Sequence, residues 1–111
     1  MTITASKVQK IRERDSYRCA ACGSPDNLQT HHRKNKGIGG SKLLDGFENL
    51  LTLCGGCNFA LEADNRFAES GRLNGWKLRD GQPPAETPIY VVWAREWRLN
   101  DTDGNYQIAD S

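Results

Sequence analysis

The sequence lacks any apolar run close to the roughly 20 residues that span a bilayer, and residues 1–7 contain no apolar stretch of signal-peptide length. Glycine and proline follow no period, which excludes a collagen-like chain. Leu, Ile, Val and Phe together number only 21 of the 111 residues, so few side chains are available for a core. We therefore expect one small cytoplasmic domain over residues 1–111 that needs a stabilising element besides its core.

An excess of charge of one sign is also missing, because the formal net charge is only +1. The two parts of the chain nevertheless differ: residues 1–42 carry a net charge of +6, and residues 43–111 carry a net charge of −5. Such an asymmetry is typical of a chain with a polyanionic partner, although a charge cluster is more often only a solvated surface. Charge alone therefore leaves the function open.

The four cysteines form two C-x-x-C pairs, Cys19 with Cys22 and Cys54 with Cys57, separated by 31 residues. This pattern lets four thiolates converge on one structural zinc ion, which would supply the folding free energy that a small core lacks. The alternatives are disulfides and a redox motif. The missing secretion signal argues against disulfides, and two copies outside a βαβ pattern argue against redox chemistry. We predict a four-cysteine zinc site.

The only two histidines of the chain, His31 and His32, are adjacent and lie between the cysteine pairs. Residues 28–32 are predicted to form a strand, in which neighbouring side chains point to opposite faces. We therefore place the two histidines at the end of a strand, beside a loop formed by the glycine-rich residues 37–41. A lone histidine is more often structural, but two histidines between cysteine pairs and next to basic residues indicate a functional site.

Periodicity predicts helices on both sides of this region. One helix covers residues 7–14 with Ser6 as its cap. A second helix follows the cysteine pair at residues 54–57, with Asn58 as its cap, and ends near Gly71.

The last third of the chain is rich in residues that favour strands. Residues 88–93, 97–99 and 106–108 predict an antiparallel meander with a turn at residues 103–104. Residues 101–104 resemble the start of a calcium loop, but the terminal Glu is absent, so we interpret them as a turn.

Several of these pieces, in this order, resemble the small HNH endonucleases of the ββα-metal fold that bacteriophages and prophages encode. The pieces are residues 14–19, 31–33, 37–40 and 48–54. The resemblance covers residues 8–80 and implies a small α+β fold, in which an HNH nuclease core carries a four-cysteine zinc knuckle pair and an N-terminal helix. Residues 81–111 would add a C-terminal β extension.

The resemblance implies roles for individual residues. His31 would bind a catalytic divalent ion, Mg²⁺ or Mn²⁺, and His32 would be the general base that takes a proton from the attacking water. Asn49 would hold the loop and the ring of His32 through backbone hydrogen bonds, and a purely structural role for Asn49 is compatible with this. DNA phosphates would be contacted by Arg33, Lys34, Lys36 and Lys42.

The third motif position departs from the family, which most often has a histidine there. Asn58 stands at this position, which makes the chain an HNN variant. Its amide oxygen is a neutral, hard ligand that suits Mg²⁺ or Mn²⁺, but Asn58 could instead be only a helix cap. Glu62, one helical turn further on, is a candidate additional ligand.

The resemblance therefore implies a metal-dependent DNA endonuclease that hydrolyses phosphodiester bonds, by nicking or double-strand cutting, in the cytoplasm of a bacterial host. The alternative is a catalytically weak or inactive zinc-stapled module. Such a module would bind nucleic acid, or it would interact with phage terminase or other DNA-packaging proteins.

Overall fold

The computed structural model of the protein describes residues 3–35 and 42–110. The helices in this part are α1 (Ala5–Arg14), α2 (Gly55–Ala63) and α3 (Asn65–Leu73), and the strands are β1 (Leu28–His32), β2 (Leu50–Cys54), β3 (Ile89–Val91), β4 (Glu96–Asn100) and β5 (Tyr106–Ala109). Short 3₁₀ helices lie at Lys42–Asp45, Phe47–Asn49, Pro84–Glu86 and Val92–Ala94. The small α+β class is confirmed, whereas Lys36 and the predicted loop at residues 37–41 lie outside the described residues.

Helix α1 begins two residues earlier than predicted, and its cap is Thr4 rather than Ser6. The backbone of Thr4 is extended, and its hydroxyl accepts a hydrogen bond from the Lys7 N–H at 3.2 Å. Such an acceptor satisfies one of the first N–H groups of a helix, which have no partner within the helix itself. Ser6 lies inside the first turn, so the cap prediction was wrong by two positions.

Strands β1 and β2 pair antiparallel, with His31 opposite Leu51 and His32 opposite Leu50. Directly opposed residues of an antiparallel pair share a face, and successive residues alternate between faces. His31 and His32 therefore point to opposite faces of this two-stranded sheet, at the last two positions of β1. The predicted strand over residues 28–32 is confirmed.

Each face of this sheet is covered by a different helix. On the face of His32, the Arg12 guanidinium of α1 donates hydrogen bonds to the hydroxyls of Thr30 at 3.1 Å and Thr52 at 3.2 Å. On the face of His31, Gln29 accepts a hydrogen bond from α2. Helix α2 follows β2 without an intervening loop.

The single helix predicted after Asn58 is in fact two helices, α2 and α3, separated by Asp64. The backbone of Asp64 is extended, and its carboxylate accepts hydrogen bonds from the N–H groups of Arg66 and Phe67. Gly71 is not the predicted C-cap, because it lies inside α3, where it is buried. A Cβ at Gly71 would collide with the Leu61 side chain, so this glycine lets α3 pack closely on α2.

The buried core draws residues from both sheets, from α2 and from the segments between them. Its members are Cys19, Ala20, Leu51, Leu53, Leu61, Trp76, Ile89 and Val91. The C-terminal strands form the predicted antiparallel meander in the order β3-β4-β5. None of the helices in the described part of the chain has the length and the apolar character needed to cross a membrane.

The predicted turn at residues 103–104 is also present. Gly104 has a φ of +93°, and the Asp101 carboxylate accepts the N–H groups of Asp103 and Asn105, each at 2.9 Å. The stretch that resembles a calcium loop therefore uses Asp101 to close a turn.

Gly75 and Gly81 form a matched pair for a test of backbone packing, since both have a positive φ, +77° and +86°. A Cβ at Gly75 would collide with the Pro88 carbonyl oxygen, whereas nothing lies within 4 Å of a Cβ at Gly81. Gly81→Ala should lower the free energy of unfolding by about 1–2 kcal/mol, the cost of a left-handed alanine. Gly75→Ala should cost about 3 kcal/mol or more, because backbone must also move. Urea denaturation checks the difference, and equal losses would contradict the packing argument.

Candidate metal centre and catalytic site

The four cysteines converge in space although the two pairs are far apart in sequence. Their sulfur atoms all lie within 4.8 Å of one another, and the Sγ atoms of Cys22 and Cys54 are 3.7 Å apart. A tetrahedral zinc site with Zn–S bonds of ~2.3 Å places its sulfurs about 3.8 Å apart, whereas a disulfide needs ~2.05 Å. The cluster of Cys19, Cys22, Cys54 and Cys57 could therefore hold a structural metal ion, and its geometry is consistent with zinc.

Backbone hydrogen bonds shape both cysteine pairs. In the first pair, the Cys19 carbonyl accepts the Gly23 N–H at 2.7 Å, and the Cys19 N–H donates to the Ser24 carbonyl at 2.8 Å. In the second pair, the Cys54 sulfur accepts the Cys57 N–H at 3.4 Å and acts as the N-cap of α2. The second pair therefore fixes the start of a helix as well as the position of two sulfurs.

The thiols shift one another's pKa. Burial raises the pKa of Cys19, and burial together with neighbouring charge raises the pKa of Cys57. Burial also acts on Cys54, but hydrogen bonds from Cys57 and from the other thiols outweigh it and lower the pKa of Cys54. Without a cation, some of the sulfurs therefore keep their protons, and a metal ion would displace these protons on binding.

His31 is buried, and one of its ring nitrogens has a fixed partner. Its Nε2 lies 2.7 Å from the Trp76 carbonyl oxygen, and since a carbonyl can only accept, Nε2 carries the proton. In the neutral ring, Nδ1 then has a free lone pair. Burial lowers the pKa of His31, although hydrogen bonds to Trp76 and Asn58 oppose this effect. The ring is thus held in the neutral form that a metal ion requires.

Asn58 lies beside His31 and is not the cap of a helix. Helix α2 begins three residues earlier at Gly55, with Cys54 as its cap, so the cap interpretation of Asn58 is wrong. The Asn58 Nδ2 donates to the Gln29 Oε1 at 2.9 Å, and the Asn58 side chain is near enough to the His31 ring to raise its pKa by hydrogen bonding. The chain therefore brings two of the predicted ligands of the divalent ion together.

Glu62 follows Asn58 by one turn of α2 and has a mostly exposed side chain. Its Oε2 lies 3.4 Å from the Nζ of Lys77. Its charge also raises the pKa of His31, against the larger effect of burial. Glu62 thus faces the same region as His31, but Lys77 already neutralises part of its charge.

His32 is held by a residue that the sequence pattern did not single out. Its Nε2 lies 2.8 Å from the Oδ1 of Asp45, which is only 3% exposed. The Lys7 ammonium of α1 donates to the Asp45 carbonyl. Asp45 is 13 residues from His32 along the chain, and no spacing rule marks such a pair in advance. A carboxylate on Nε2 leaves Nδ1 as the ring nitrogen that can take up a proton.

Asn49 is fully buried and binds the backbone on both sides of the site. Its Oδ1 accepts the Lys34 N–H at 2.8 Å, and its Nδ2 donates to the carbonyls of Lys34 at 3.1 Å and Leu44 at 2.8 Å. These bonds join the segment after His32 to the short helix that carries Asp45. The backbone hydrogen bonds expected of Asn49 are present.

Arg33 was predicted to contact DNA, but its side chain does not lie at the surface, because it is buried and only 1% exposed. Its guanidinium donates to four backbone carbonyls at 2.7–2.9 Å, those of Glu48, Gly75, Pro84 and Thr87. Burial lowers the pKa of Arg33 to about 9, which still leaves it charged near neutral pH. The sequence does not distinguish Arg33 from the basic residues that follow it, so its burial could not be predicted.

The structure describes only some of the other residues that were predicted to bind DNA. Lys34 is half-buried at the surface directly after Arg33. Lys42 begins the short helix Lys42–Asp45, but its side chain, like the whole of Lys36, lies outside the described residues.

Comparisons with known proteins add no family assignment: no family model matches this chain, and no curated protein or solved structure is detectably similar to it.

Metal analysis checks the cysteine cluster. We expect about one zinc ion per folded chain, and removal of zinc by a strong chelator should unfold the protein, because the metal supplies folding free energy. Cys54→Ala should destabilise the protein more than Cys22→Ala, since Cys54 also caps α2 and an alanine side chain cannot accept that hydrogen bond. Ser70→Ala on the exposed surface of α3 is the control. A folded, metal-free wild-type chain would contradict the prediction.

Arg33→Lys should lower the free energy of unfolding by about 3 kcal/mol or more, because an ammonium cannot reach all four carbonyls and a buried polar group without a partner costs about 1–3 kcal/mol. Lys34→Ala is the matched control, since the Lys34 side chain has no hydrogen bond or ion pair within the described residues. Chemical denaturation of both variants checks this. If Arg33→Lys were as stable as Lys34→Ala, the structural role of Arg33 would be refuted.

Proposed function

We propose that this protein is a metal-dependent DNA endonuclease of the HNH type that hydrolyses phosphodiester bonds. The observation that carries the proposal is the arrangement at the end of β1. There, a buried imidazole with a free Nδ1 lies beside the amide of Asn58, and the next residue is an imidazole whose Nε2 is held by Asp45. One strand end thus offers both a metal ligand and a candidate base.

The donor set suits a hard divalent ion. His31 Nδ1 and Asn58 Oδ1 would hold Mg²⁺ or Mn²⁺, since the amide oxygen is a hard ligand of the kind that both ions prefer, and waters would complete the coordination. Glu62 could add a carboxylate oxygen if it released Lys77. When bound, the ion would supply Lewis-acid stabilisation of charge on the phosphate and on the leaving 3′ oxygen.

The residues of the chain would supply the proton chemistry. His32 would accept a proton at Nδ1 from the attacking water, since its Nε2 is bound to Asp45. The Asp45 carboxylate would orient the ring and stabilise the imidazolium as it forms, which is how a buried acid assists a catalytic histidine. Asn49 would hold the segment after His32 and the short helix that carries Asp45 in fixed relative positions through its three hydrogen bonds to backbone groups. The expected products carry 5′-phosphate and 3′-hydroxyl ends.

The charge distribution supports a polyanionic substrate. The net charge of +6 on residues 1–42 is concentrated in the part of the chain that contains both histidines. Because the side chain of Arg33 is buried, the phosphate contacts would be made by Lys34, Lys36 and Lys42. Such contacts give affinity that does not depend on the DNA sequence and that falls as the salt concentration rises.

Plasmid nicking with Mg²⁺ or Mn²⁺ tests the proposal. His32→Ala should reduce nicking by about 10²–10⁴-fold, because it removes the base. Asp45→Asn, which keeps the shape of the side chain but loses its charge, should reduce kcat more than it changes KM. Gln107→Ala on the exposed strand β5 is the control and should cut normally, and zinc content should be equal in all variants.

Two results would contradict the proposal in different ways. If His32→Ala nicked as fast as the wild type, the assignment of the base would be wrong. If the zinc-loaded wild-type protein nicked no DNA with any divalent ion, the protein would instead be the binding or packaging module of the alternative.

A further inference from the structure

Gln29 is an exposed residue of β1 whose only described side-chain hydrogen bond is to Asn58. It lies two positions before His31 and therefore on the same face of the strand. Its Oε1 accepts a hydrogen bond from the Asn58 Nδ2 at 2.9 Å. The exposed Gln29 thus contacts the amide that the proposed function treats as a ligand.

The direction of this hydrogen bond decides which end of the Asn58 amide faces the ion. A side-chain amide has a donor end and an acceptor end, and only the oxygen can bind a cation. Since Nδ2 is engaged by Gln29, Oδ1 is turned away from Gln29. Oδ1 is therefore the end of the amide that is left to bind a cation, next to the face of β1 that Gln29 shares with His31.

The Gln29 amide lies next to the start of α2, at Gly55. The Gly55 N–H donates to the Asn27 carbonyl at 2.9 Å. A Cβ at Gly55 would lie 3.1 Å from the Gln29 Nε2 and would collide with the Asn27 amide. The absence of a side chain at Gly55 therefore lets the Gln29 amide lie against the helix and reach Asn58.

We infer that Gln29 is a positioning residue that fixes the rotamer of the Asn58 amide, so that its oxygen and the His31 Nδ1 are presented together to a divalent cation. This inference rests on the proposed function for the role of His31 and Asn58 as ligands. Gln29 does not touch the substrate or the ion in this scheme. It acts only through Asn58.

Binding of Mn²⁺ to the zinc-loaded protein, without DNA, tests the inference. The chain has only two histidines, so paramagnetic broadening of their ring signals in NMR spectra reports ion binding at this site. Gln29→Met keeps the length of the side chain but removes the acceptor, and it should weaken Mn²⁺ binding about 10-fold, as expected when a partner of a metal ligand is lost. Gln29→Glu keeps an acceptor and should bind at least as tightly as the wild type. Gln107→Met on β5 is the matched control and should have no effect.

An Asn58→Asp background separates amide orientation from general damage. A carboxylate presents an oxygen in either rotamer, so Gln29→Met should there change Mn²⁺ affinity less than about two-fold, a loss of coupling that a double-mutant cycle measures. An equal loss in both backgrounds, or no loss in the wild-type background, would overturn the role of Gln29.

The same titration distinguishes failure of this inference from failure of the proposed function. If Mn²⁺ failed to broaden the histidine signals of the wild-type protein, the ion site and the role of Gln29 would both fall. If Mn²⁺ bound and showed the expected dependence on Gln29, but no DNA were cleaved, the inference would stand and the nuclease activity would be rejected.

Discussion

The guanidinium of Arg33 joins segments that lie far apart along the chain. It donates to backbone carbonyls that precede β2, that follow α3 and that precede β3. The backbone N–H of Arg33 donates to the Asn49 carbonyl at 2.8 Å, and the backbone carbonyl of Arg33 accepts the Leu78 N–H at 2.8 Å. A buried charge is costly unless hydrogen bonds compensate it, and here every carbonyl depends on the same donor. Because Arg33 directly follows His32, this network also sets where β1 ends and where its two histidines lie.

The β1–β2 sheet separates two chemical environments with only one peptide bond between them. One face carries His31, under α2, and the other carries His32, next to the segment that α1 anchors. The strand itself produces this separation, since adjacent side chains of a strand point to opposite faces of the sheet. At the end of a strand, however, both side chains remain close to the same edge. The arrangement lets neighbouring residues take different partners, Trp76 for one and Asp45 for the other.

Local signals in the sequence were sufficient for the cysteine cluster, for strand β1 and for the C-terminal meander. Each of these depends on short spacings or on alternation, which the chain displays directly. The cap of α2 was missed because a cysteine sulfur, rather than an Asn or Ser oxygen, accepts the first hydrogen bond. The break at Asp64 was missed because an apolar repeat continues across it.

The roles of Arg33, Asp45 and Gln29 depend on contacts between residues distant in sequence. A basic residue in a basic run gives no sign of burial, and long-range pairs such as His32 with Asp45 follow no spacing. The same holds for Gln29 and Asn58, which are 29 positions apart. Such contacts become visible only once the sheet register is known.

Cys54 belongs to the cysteine cluster and also caps the helix that carries Asn58. Only three residues separate Cys54 from Asn58, and Cys57, another member of the cluster, directly precedes Asn58. Replacing Cys54 by a side chain without an acceptor would therefore remove both a sulfur of the cluster and the cap of the helix that carries Asn58. Cys22 has only the first of these two roles, because its side chain belongs to the cluster but caps no helix in the described part of the chain.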